Sequence, residues 1–486
     1  MKRPRSVWFR RFFWFILIIS VVRLLLLGAL DMMPQDAYYW QYSRHLAWGY
    51  FDHPPMHAYT AFLTTSLFGD TVIGVRLAAW IYGVGLLIVI FLFTRYVFDE
   101  KMAFWVTIIA GLTPLFTIGS SILTPDPPLL FFWTLSIYLG YRAFKEKRTF
   151  LWVLAGFFGG LAALSKYTAI FLFFGYLIVL LFSKEGRRCW KTPGPYLALI
   201  AGFVAFLPQF YWNIQNDWAS FAFQTTRRAG EISRWRLDLF GGMIGSQLFL
   251  LSPILFIGII WIGFKDTIKA YLKNHEFRNI YLGAFFGPLI AFFTLVSLKY
   301  WVKMNWLAPS YITGVMLFVA YLVRKEKKKL IKTTLFIAIA ETVLLYILVI
   351  FPVVPLKGEA SYWEGWTELA DRVESERIVF TEEPFIAGWG YKVSSELAFY
   401  LPDQPETHSS EILGFNGLNY SYWTDTDLLI NRDAIFVADD REPFRKPELL
   451  NKYFNEVVEI PILEIFRGDE VVTKFRIWRC YGYLGP

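Results

Sequence analysis

The feature that most constrains the fold is a succession of long apolar runs, which fills the chain up to about residue 352. Roughly 20 apolar residues are enough for an α-helix to cross a bilayer, and we therefore predict about eleven transmembrane helices. A hydrophobic share of 56% with only 18% charged residues fits a polytopic α-helical membrane protein rather than a soluble one. The predicted helices lie near residues 12–30, 73–96, 103–122, 127–143, 150–165, 167–183, 195–212, 241–262, 280–298, 306–323 and 332–352.

Lysine and arginine cluster in alternate loops between these runs. The clusters are Lys2–Arg11, Arg95–Lys101, Arg142–Arg148, Lys184–Lys191, Lys265–Arg278 and Arg324–Lys332. Because cytoplasmic loops are enriched in these residues, the clusters predict a cytoplasmic N-terminus in a multi-pass protein of the plasma (inner) membrane. The first apolar run is predicted to be a retained signal anchor. The net charge of +8 is therefore a topology signal and does not indicate nucleic-acid binding.

The composition changes after Phe351, and we predict two domains, a membrane domain over 1–352 and a tail over 353–486. The tail has no apolar run of membrane length and is predicted to be a soluble, extracytoplasmic α/β domain. A helix is predicted over Tyr362–Glu374, and strands are predicted over Arg377–Phe380, Ala434–Ala438, Val457–Leu463 and Val471–Trp478. Cys189 and Cys480 fall on opposite sides of the membrane in this topology and cannot pair.

The first external loop, residues 31–72, combines carboxylates, histidines and aromatic residues beside the membrane. Trp and Tyr gather at the headgroup level of many membrane proteins, which explains Tyr38 and Tyr39 without a function. That explanation does not cover Asp36, or Asp52 and His53 in the stiff corner before two prolines. Polar groups beside lipid are costly unless they line a cavity or meet a substrate. We therefore predict that Asp52 and His53 bind substrate, and we include the neighbouring Tyr38 and Tyr39 as candidate substrate-binding residues beside the simpler membrane-surface explanation.

A second carboxylate, Asp126, lies between prolines at the start of a predicted helix. It either caps that helix, where the helix dipole favours a negative charge, or belongs to an active site, and the two roles are compatible. Asp36 and Asp126 are both predicted on the external side. A pair of carboxylates there can activate a hydroxyl, hold a divalent metal, or do both. A metal at Asp36, Asp126 or His53 stays open, because the histidine spacing matches no strong zinc pattern. No other cofactor is indicated.

Several cations lie on the same predicted face, where the positive-inside bias works against them. They are Lys166, Arg227, Lys299 and Lys303. Lysines near a membrane surface often extend only to lipid headgroups. External cations also suit a phosphate or pyrophosphate leaving group embedded in the lipid, and we predict that these four bind such a phosphate. Lys299 and Lys303 are four residues apart and would share one side of a helix, and they would also share one face if the segment is a strand or irregular.

The motifs resemble those of the GT-C glycosyltransferases of family 39 and their bacterial relatives. These relatives include lipid A aminoarabinose and galacturonic acid transferases and protein O-mannosyltransferases. The resemblance rests on PQDAYYW at 34–40, FDHPP at 51–55, LTPDPPL at 123–129, GLAALSKY at 160–167 and the stretch Lys303–Pro309, with a looser likeness in SELAFYL at 395–401. Many members carry Asp-Glu at the first motif, whereas Ala37 follows Asp36 here.

The resemblance implies a GT-C fold and an inverting transfer of a sugar from a polyprenyl-phosphate donor at the outer face of the membrane. Asp36 matches the catalytic acid of the first external loop, and Asp126 matches the second acidic position. The acceptor stays open between lipid A, another envelope glycolipid or glycan, and a protein hydroxyl. A rival interpretation is a lipid or solute transporter. Against it, the ionisable residues collect at one face and the chain shows no inverted repeat.

Overall fold

The structure is a computed structural model that describes residues 6–227, 235–351 and 354–486. It divides into two compact units. The helical unit comprises Met1–Leu27, Ala47–Thr60 and Arg76–Leu345, and the sheet unit comprises Gly28–Leu46, Ala61–Val75 and Tyr346–Pro486.

Helices dominate the chain up to residue 350. In chain order they are α1 Val7–Leu26, α2 Pro34–Arg44, α3 Met56–Phe68, α4 Val72–Val97, α5 Glu100–Leu112, α6 Pro114–Ile118, α7 Asp126–Glu146, α8 Thr149–Ala163, α9 Ile170–Phe182, α10 Lys184–Cys189, α11 Gly194–Gln215, α12 Ala219–Ala222, α13 Leu237–Leu251, α14 Pro253–Lys269, α15 Phe277–Ser297, α16 Ala308–Arg324 and α17 Lys328–Ile350. A short π-helical segment, Phe223–Arg227, follows α12.

Several helices are long and apolar enough to cross a membrane, as expected of a multi-pass membrane protein. Within the described residues, four pass on length and composition: α4, α11, α15 and α17. The predicted span 241–262 is instead a bent pair, because Pro253 cannot continue α13 and the chain turns by 107° between α13 and α14. Pro114 likewise divides the predicted span 103–122 into α5 and α6. The total of about eleven spans stays a prediction.

The glycine-rich helix α8 owes its composition to close packing. A Cβ atom added at Gly156 would lie 1.9 Å from the carbonyl oxygen of Ala198, and one added at Gly160 would lie 2.2 Å from that of Gly202. Glycines four residues apart allow two helix backbones to approach, as in membrane helix pairs. The glycines of α8 therefore set its contact with α11.

The sheet unit contains a mixed sheet with the strand order β2-β1-β3-β6-β4, and β5 also pairs with β6. β1, β2 and β3 are parallel, whereas β6 runs antiparallel to β3, β4 and β5. The strands are β1 Phe385–Gly388, β2 Thr407–His408, β3 Ala434–Asp439, β4 Phe454–Glu459, β5 Leu463–Arg467 and β6 Glu470–Tyr483. The α-helices that follow residue 354 are α18 Trp366–Arg377, α19 Tyr391–Tyr400, α20 Tyr420–Trp423 and α21 Leu450–Tyr453.

The strand predicted at Arg377–Phe380 is wrong. Its β-branched residues Ile378 and Val379 follow the end of α18 in a turn, and both are exposed. The first strand of the sheet is β1, which the sequence analysis did not predict. The predicted strand Val457–Leu463 is also divided, since β4 ends at Glu459 and β5 begins at Leu463.

The compact units do not divide at residue 352, because Gly28–Leu46 and Ala61–Val75, from the predicted first loop and its flanks, belong to the sheet unit. The Trp40 ring on α2 contacts Phe399 on α19, with ring centroids 5.1 Å apart. The Met32 N–H donates to the Tyr400 hydroxyl at 2.9 Å. Arg44 at the end of α2 forms an ion pair with Glu406 at 3.0 Å. The division into a membrane domain and a soluble domain stays a prediction.

Candidate active site

Asp126 is the first residue of α7, and two prolines follow it within the first turn. Proline is favoured there because its fixed φ suits the helix and its missing N–H is not needed. The carboxylate is favoured by the helix dipole and is 7% exposed. The sequence therefore places a charged group at the buried start of an apolar helix, where it requires partners.

Two partners come from distant parts of the chain. The Lys166 ammonium lies 2.7 Å from Asp126 Oδ1 and 3.0 Å from Oδ2. The Asn305 amide Nδ2 donates to Asp126 Oδ2 at 2.6 Å. Lys166 follows α8, whereas Asn305 lies in the loop between α15 and α16. Three separate segments of the helical unit thus meet at one carboxylate.

This arrangement is a buried ion pair with one added amide donor. Lys166 and Asp126 are each 7% exposed, so their attraction is weakly screened. The Lys166 ammonium donates to both oxygens of Asp126, and Oδ2 also accepts from Asn305. Within the described ranges, no three His, Cys, Asp or Glu side chains are placed to hold a metal ion. The metal role that the sequence left open stays a prediction.

Lys166 is held by the residues on either side of it. The Met56 N–H donates to the Leu164 carbonyl at 3.1 Å, which joins the start of α3 to the end of α8. The Tyr167 hydroxyl is 2.6 Å from Ser220 and accepts from Gln209 Nε2 at 2.6 Å. Because these contacts fix the backbone on both sides, the Lys166 side chain extends from a rigid turn.

The corner containing Asp52 and His53 is tied to the same polar network. Gln209 on α11 accepts from the Tyr50 N–H at 3.2 Å and donates to the Tyr50 carbonyl at 3.1 Å. Gln224 donates to the Asp52 carbonyl at 2.7 Å. Asp52 is buried, and His53 is half-buried. The structure thus places this corner in the helical unit with Lys166, and substrate binding by Asp52 and His53 stays a prediction.

Lys299 and Lys303 lie in the loop 298–307 and not on a helix, so the argument from helical spacing was wrong. Helix α15 ends at Ser297, and the next helix, α16, begins only at Ala308. Both ammonium groups are exposed, Lys299 at 5.1 Å from the Trp235 ring centroid and Lys303 at 6.0 Å from that of Trp301. The side chain of Arg227 lies outside the described residues. Phosphate binding by all three stays a prediction.

Asp36 belongs to the sheet unit. It is fully buried in the first turn of α2, and its Oδ2 is 3.4 Å from the Met33 N–H, as in a capping box. Tyr38 is also buried, and its hydroxyl accepts from Asn419 Nδ2 at 3.0 Å. The Tyr39 ring packs against that of Tyr38 with centroids 5.4 Å apart. These contacts give all three residues structural partners, and their catalytic or substrate-binding roles stay predictions.

Two contacts of Asp126 were not predicted from the sequence: the hydrogen bond from Asn305 and the ion pair with Lys166. Asn305 was visible only as a polar residue at the end of a segment selected for its lysines. Lys166 was noticed as a break in an apolar pattern, but it was assigned to the donor phosphate. The sequence does indicate that each of these charges needs a partner, because an ionisable side chain in an apolar segment is costly without one, but it does not indicate which partner.

Several known proteins are similar to this chain in sequence or in fold. Residues 52–212 match the family model described as dolichyl-phosphate-mannose-protein mannosyltransferase. The lipid A galacturonosyltransferase RgtD of Rhizobium johnstonii is 26% identical over 309 residues, which cover 62% of this chain and 63% of RgtD. An uncharacterized protein of Aquifex aeolicus is 24% identical over 282 residues, which cover 57% of this chain and 54% of that protein. The chain thus spans less than two thirds of the length of either relative.

The crystal structure of ArnT from Cupriavidus metallidurans bound to undecaprenyl phosphate has the same fold. Its TM-score is 0.62 at 15% identity, over 97% of this chain and 98% of ArnT. The structure of apo ArnT gives a TM-score of 0.63 at the same identity. The predicted resemblance to GT-C glycosyltransferases is confirmed, in sequence by RgtD and the family model and in fold by ArnT. Nothing in these matches supports a transporter.

Proposed function

We propose that this protein is a membrane glycosyltransferase that moves a sugar from a polyprenyl-phosphate donor to an acceptor in the cell envelope. The observation that carries the proposal is the buried Asp126 carboxylate held by Lys166 and Asn305 at the start of an apolar helix. A site built on membrane helices suits a donor whose phosphate is attached to a lipid. The ArnT fold supports the same conclusion.

The reaction is an inverting displacement at the anomeric carbon. The acceptor hydroxyl oxygen forms the new bond as the bond from carbon to the phosphate oxygen breaks. The acceptor proton passes to a carboxylate, and the leaving polyprenyl phosphate keeps the bonding electron pair. We assign the base to Asp36 or Asp126, since a positioned carboxylate can accept this proton. Lys166, Lys299, Lys303 and Arg227 are proposed to stabilise the negative charge on the departing phosphate.

The relatives suggest which substrates to test first. RgtD is a lipid A galacturonosyltransferase, so galacturonic acid is the first donor sugar and lipid A the first acceptor. The ArnT complex contains undecaprenyl phosphate, which makes this lipid the natural probe of the donor site. Aminoarabinose and mannose follow as alternative sugars, and other envelope glycans or protein hydroxyls as alternative acceptors.

The proposed topology places the reaction at the outer face of the inner membrane. About eleven helices span the bilayer, with the N-terminus in the cytoplasm and the sheet unit outside. The distribution of basic clusters in the sequence is the support for this orientation.

The test uses the purified full chain in detergent with synthetic short-chain polyprenyl-phosphate galacturonic acid, aminoarabinose and mannose, each with lipid A. We expect one donor to be consumed with release of polyprenyl phosphate and formation of a glycosylated acceptor, measured by mass spectrometry. The matched control is Asp126→Asn, which preserves the size of the side chain. Consumption of every donor at the same rate by this variant would contradict the assignment of Asp126. Transport of intact donor across vesicles without its consumption would favour a transporter.

A further inference from the structure

Asn305 reaches Asp126 from a loop, and loops without regular structure are normally the least rigid parts of a fold. The backbone of the loop 298–307 is nevertheless held by hydrogen bonds at three points. At its start, the Arg236 N–H donates to the Leu298 carbonyl at 2.8 Å. At its end, the Ala308 N–H donates to the Asn305 carbonyl at 3.2 Å. The residue just before Asn305 has a third anchor, provided by a buried side chain of α13.

That anchor is Gln247, whose Nε2 donates to the Met304 carbonyl oxygen at 3.0 Å. The orientation of the amide is determined by chemistry, because a carbonyl oxygen only accepts and the amide nitrogen must face it. The Gln247 oxygen in turn accepts from the Tyr311 hydroxyl on α16 at 2.9 Å. Gln247 and Tyr311 are both fully buried. The Gln247 nitrogen also contacts the Ser246 hydroxyl at 3.1 Å.

A fully buried glutamine on a largely apolar helix needs an explanation. Burying an amide without partners costs free energy, and a leucine would pack at this position without that cost. Here both ends of the amide are used, one to accept from Tyr311 and one to hold the loop. The simplest alternative is a polar residue that serves only the stability of the fold. The position of the Met304 carbonyl, one residue from Asn305, argues for a more specific role.

We propose that Gln247 and Tyr311 are positioning residues that act through Asn305 to hold the Asp126 carboxylate in its working orientation. This inference rests on the proposed function, in which Asp126 belongs to the active site. Three hydrogen bonds and one peptide bond connect these groups: Tyr311 donates to Gln247, Gln247 donates to the Met304 carbonyl, the peptide bond joins Met304 to Asn305, and Asn305 donates to Asp126. Small displacements of a catalytic group strongly lower the rate of the reaction, so the reaction requires a fixed support for Asn305.

The experiment compares Gln247→Leu, Tyr311→Phe and Asn305→Ala with the parent in the full chain. The matched control is Thr313→Val, which removes another fully buried hydroxyl from α16 without touching the loop. We expect each of the three variants to lower kcat for sugar transfer about tenfold, while the KM for donor changes less than about twofold. The double variant Gln247→Leu with Asn305→Ala should be no slower than Asn305→Ala, because both changes act on one interaction.

Hydrogen exchange measured by mass spectrometry supplies a readout that does not depend on turnover. Gln247→Leu and Tyr311→Phe should speed exchange in peptides covering 299–307, and Thr313→Val should leave it unchanged. Unchanged exchange in Gln247→Leu would overturn the proposal, whatever the activity. Additive losses of kcat in the double variant would also overturn it. A parent protein that transfers none of the probe sugars would overturn the proposed function alone, and the exchange data would still decide whether Gln247 holds the loop.

Discussion

The ion pair between Asp126 and Lys166 is buried on both sides, which determines how either residue responds to substitution. Removing one partner of a buried pair leaves the other charge without compensation and typically costs about 3–5 kcal/mol. Removing both charges together avoids that penalty. Comparing the single substitutions with the double substitution therefore distinguishes an effect on stability from an effect on transfer activity, which the same comparison at an exposed pair would not do.

We predict that Asp126→Asn lowers the thermal unfolding temperature in detergent, because it leaves the Lys166 ammonium without a counter-charge. Adding Lys166→Met should restore most of the unfolding temperature but no transfer. Glu146→Gln is the control, since it breaks the more exposed pair with Arg142 and should cost less than about 1 kcal/mol. Equal losses in Asp126→Asn and Glu146→Gln would show that the buried pair has no special weight.

Asp36 offers a test in which charge changes and shape does not. Asn keeps an oxygen that can accept from the Met33 N–H, so Asp36→Asn should preserve the start of α2. If Asp36 is the base, the variant should lose about 10²–10⁴-fold in transfer rate with an unchanged unfolding temperature. Turnover close to that of the parent would remove Asp36 from the mechanism and leave Asp126 as the base.

At the scale of elements, the loop 298–307 carries the exposed Lys299 and Lys303. Its backbone accepts hydrogen bonds at the Leu298 and Met304 carbonyls. We predict that Lys299→Ala or Lys303→Ala weakens binding of undecaprenyl phosphate roughly ten- to hundred-fold, the worth of one charged hydrogen bond. Arginine at either position should rescue only in part, because the guanidinium differs in shape. Lys332→Ala on α17 is the control, an exposed lysine in a predicted cytoplasmic cluster. Parent-like binding by both alanine variants would reduce these lysines to membrane anchors.

His408 on the edge strand β2 makes the stability of the sheet unit depend on pH. Burial lowers the pKa of His408 to about 4, although Glu406 nearby acts in the opposite direction. As the pH falls, the unfolded chain, in which the histidine pKa is about 6.5, therefore protonates His408 at a higher pH than the folded chain does. The contribution of His408 to stability is complete above about pH 6.5 and falls as the pH drops towards 4.

We accordingly predict that hydrogen exchange in peptides covering 404–412, corrected for its intrinsic pH dependence, becomes relatively faster between pH 7 and 5. His408→Asn retains a group able to hydrogen-bond with Thr424, which lies 3.1 Å from His408 Nδ1. This variant should show much less of the change. The same acid response in parent and variant would assign it to another group.

At the scale of the whole molecule, cysteine labelling tests the predicted orientation in the membrane. Cys480 is buried in β6 and cannot serve as the reporter. We predict that a membrane-impermeant thiol reagent applied to intact cells labels Asp469→Cys, an exposed position in the turn between β5 and β6. Lys191→Cys, exposed in a predicted cytoplasmic cluster, should react only after the membrane is opened. The reverse pattern would move the proposed active site to the cytoplasm.

The sequence by itself determined that this is a helical membrane chain whose motifs resemble those of GT-C glycosyltransferases. The reason is that hydrophobic length and proline positions are local properties, readable without knowing which helices touch. The start of α7 at Asp126 illustrates this, since Pro127 and Pro128 mark it directly. Strands β3 and β6 were also predicted for the most part, because both are rich in β-branched and aromatic residues.

Only the tertiary structure decided which polar groups meet. Asp126 and Lys166 are 40 residues apart and Asn305 is 179 residues from Asp126, and no local pattern encodes such a pairing. Likewise, α2 lies in the first external loop by sequence but clusters with the sheet unit, because its aromatic side chains pack on α19. Burial requires each charge and each large aromatic face to find a partner, and the chain's folded path selects which one.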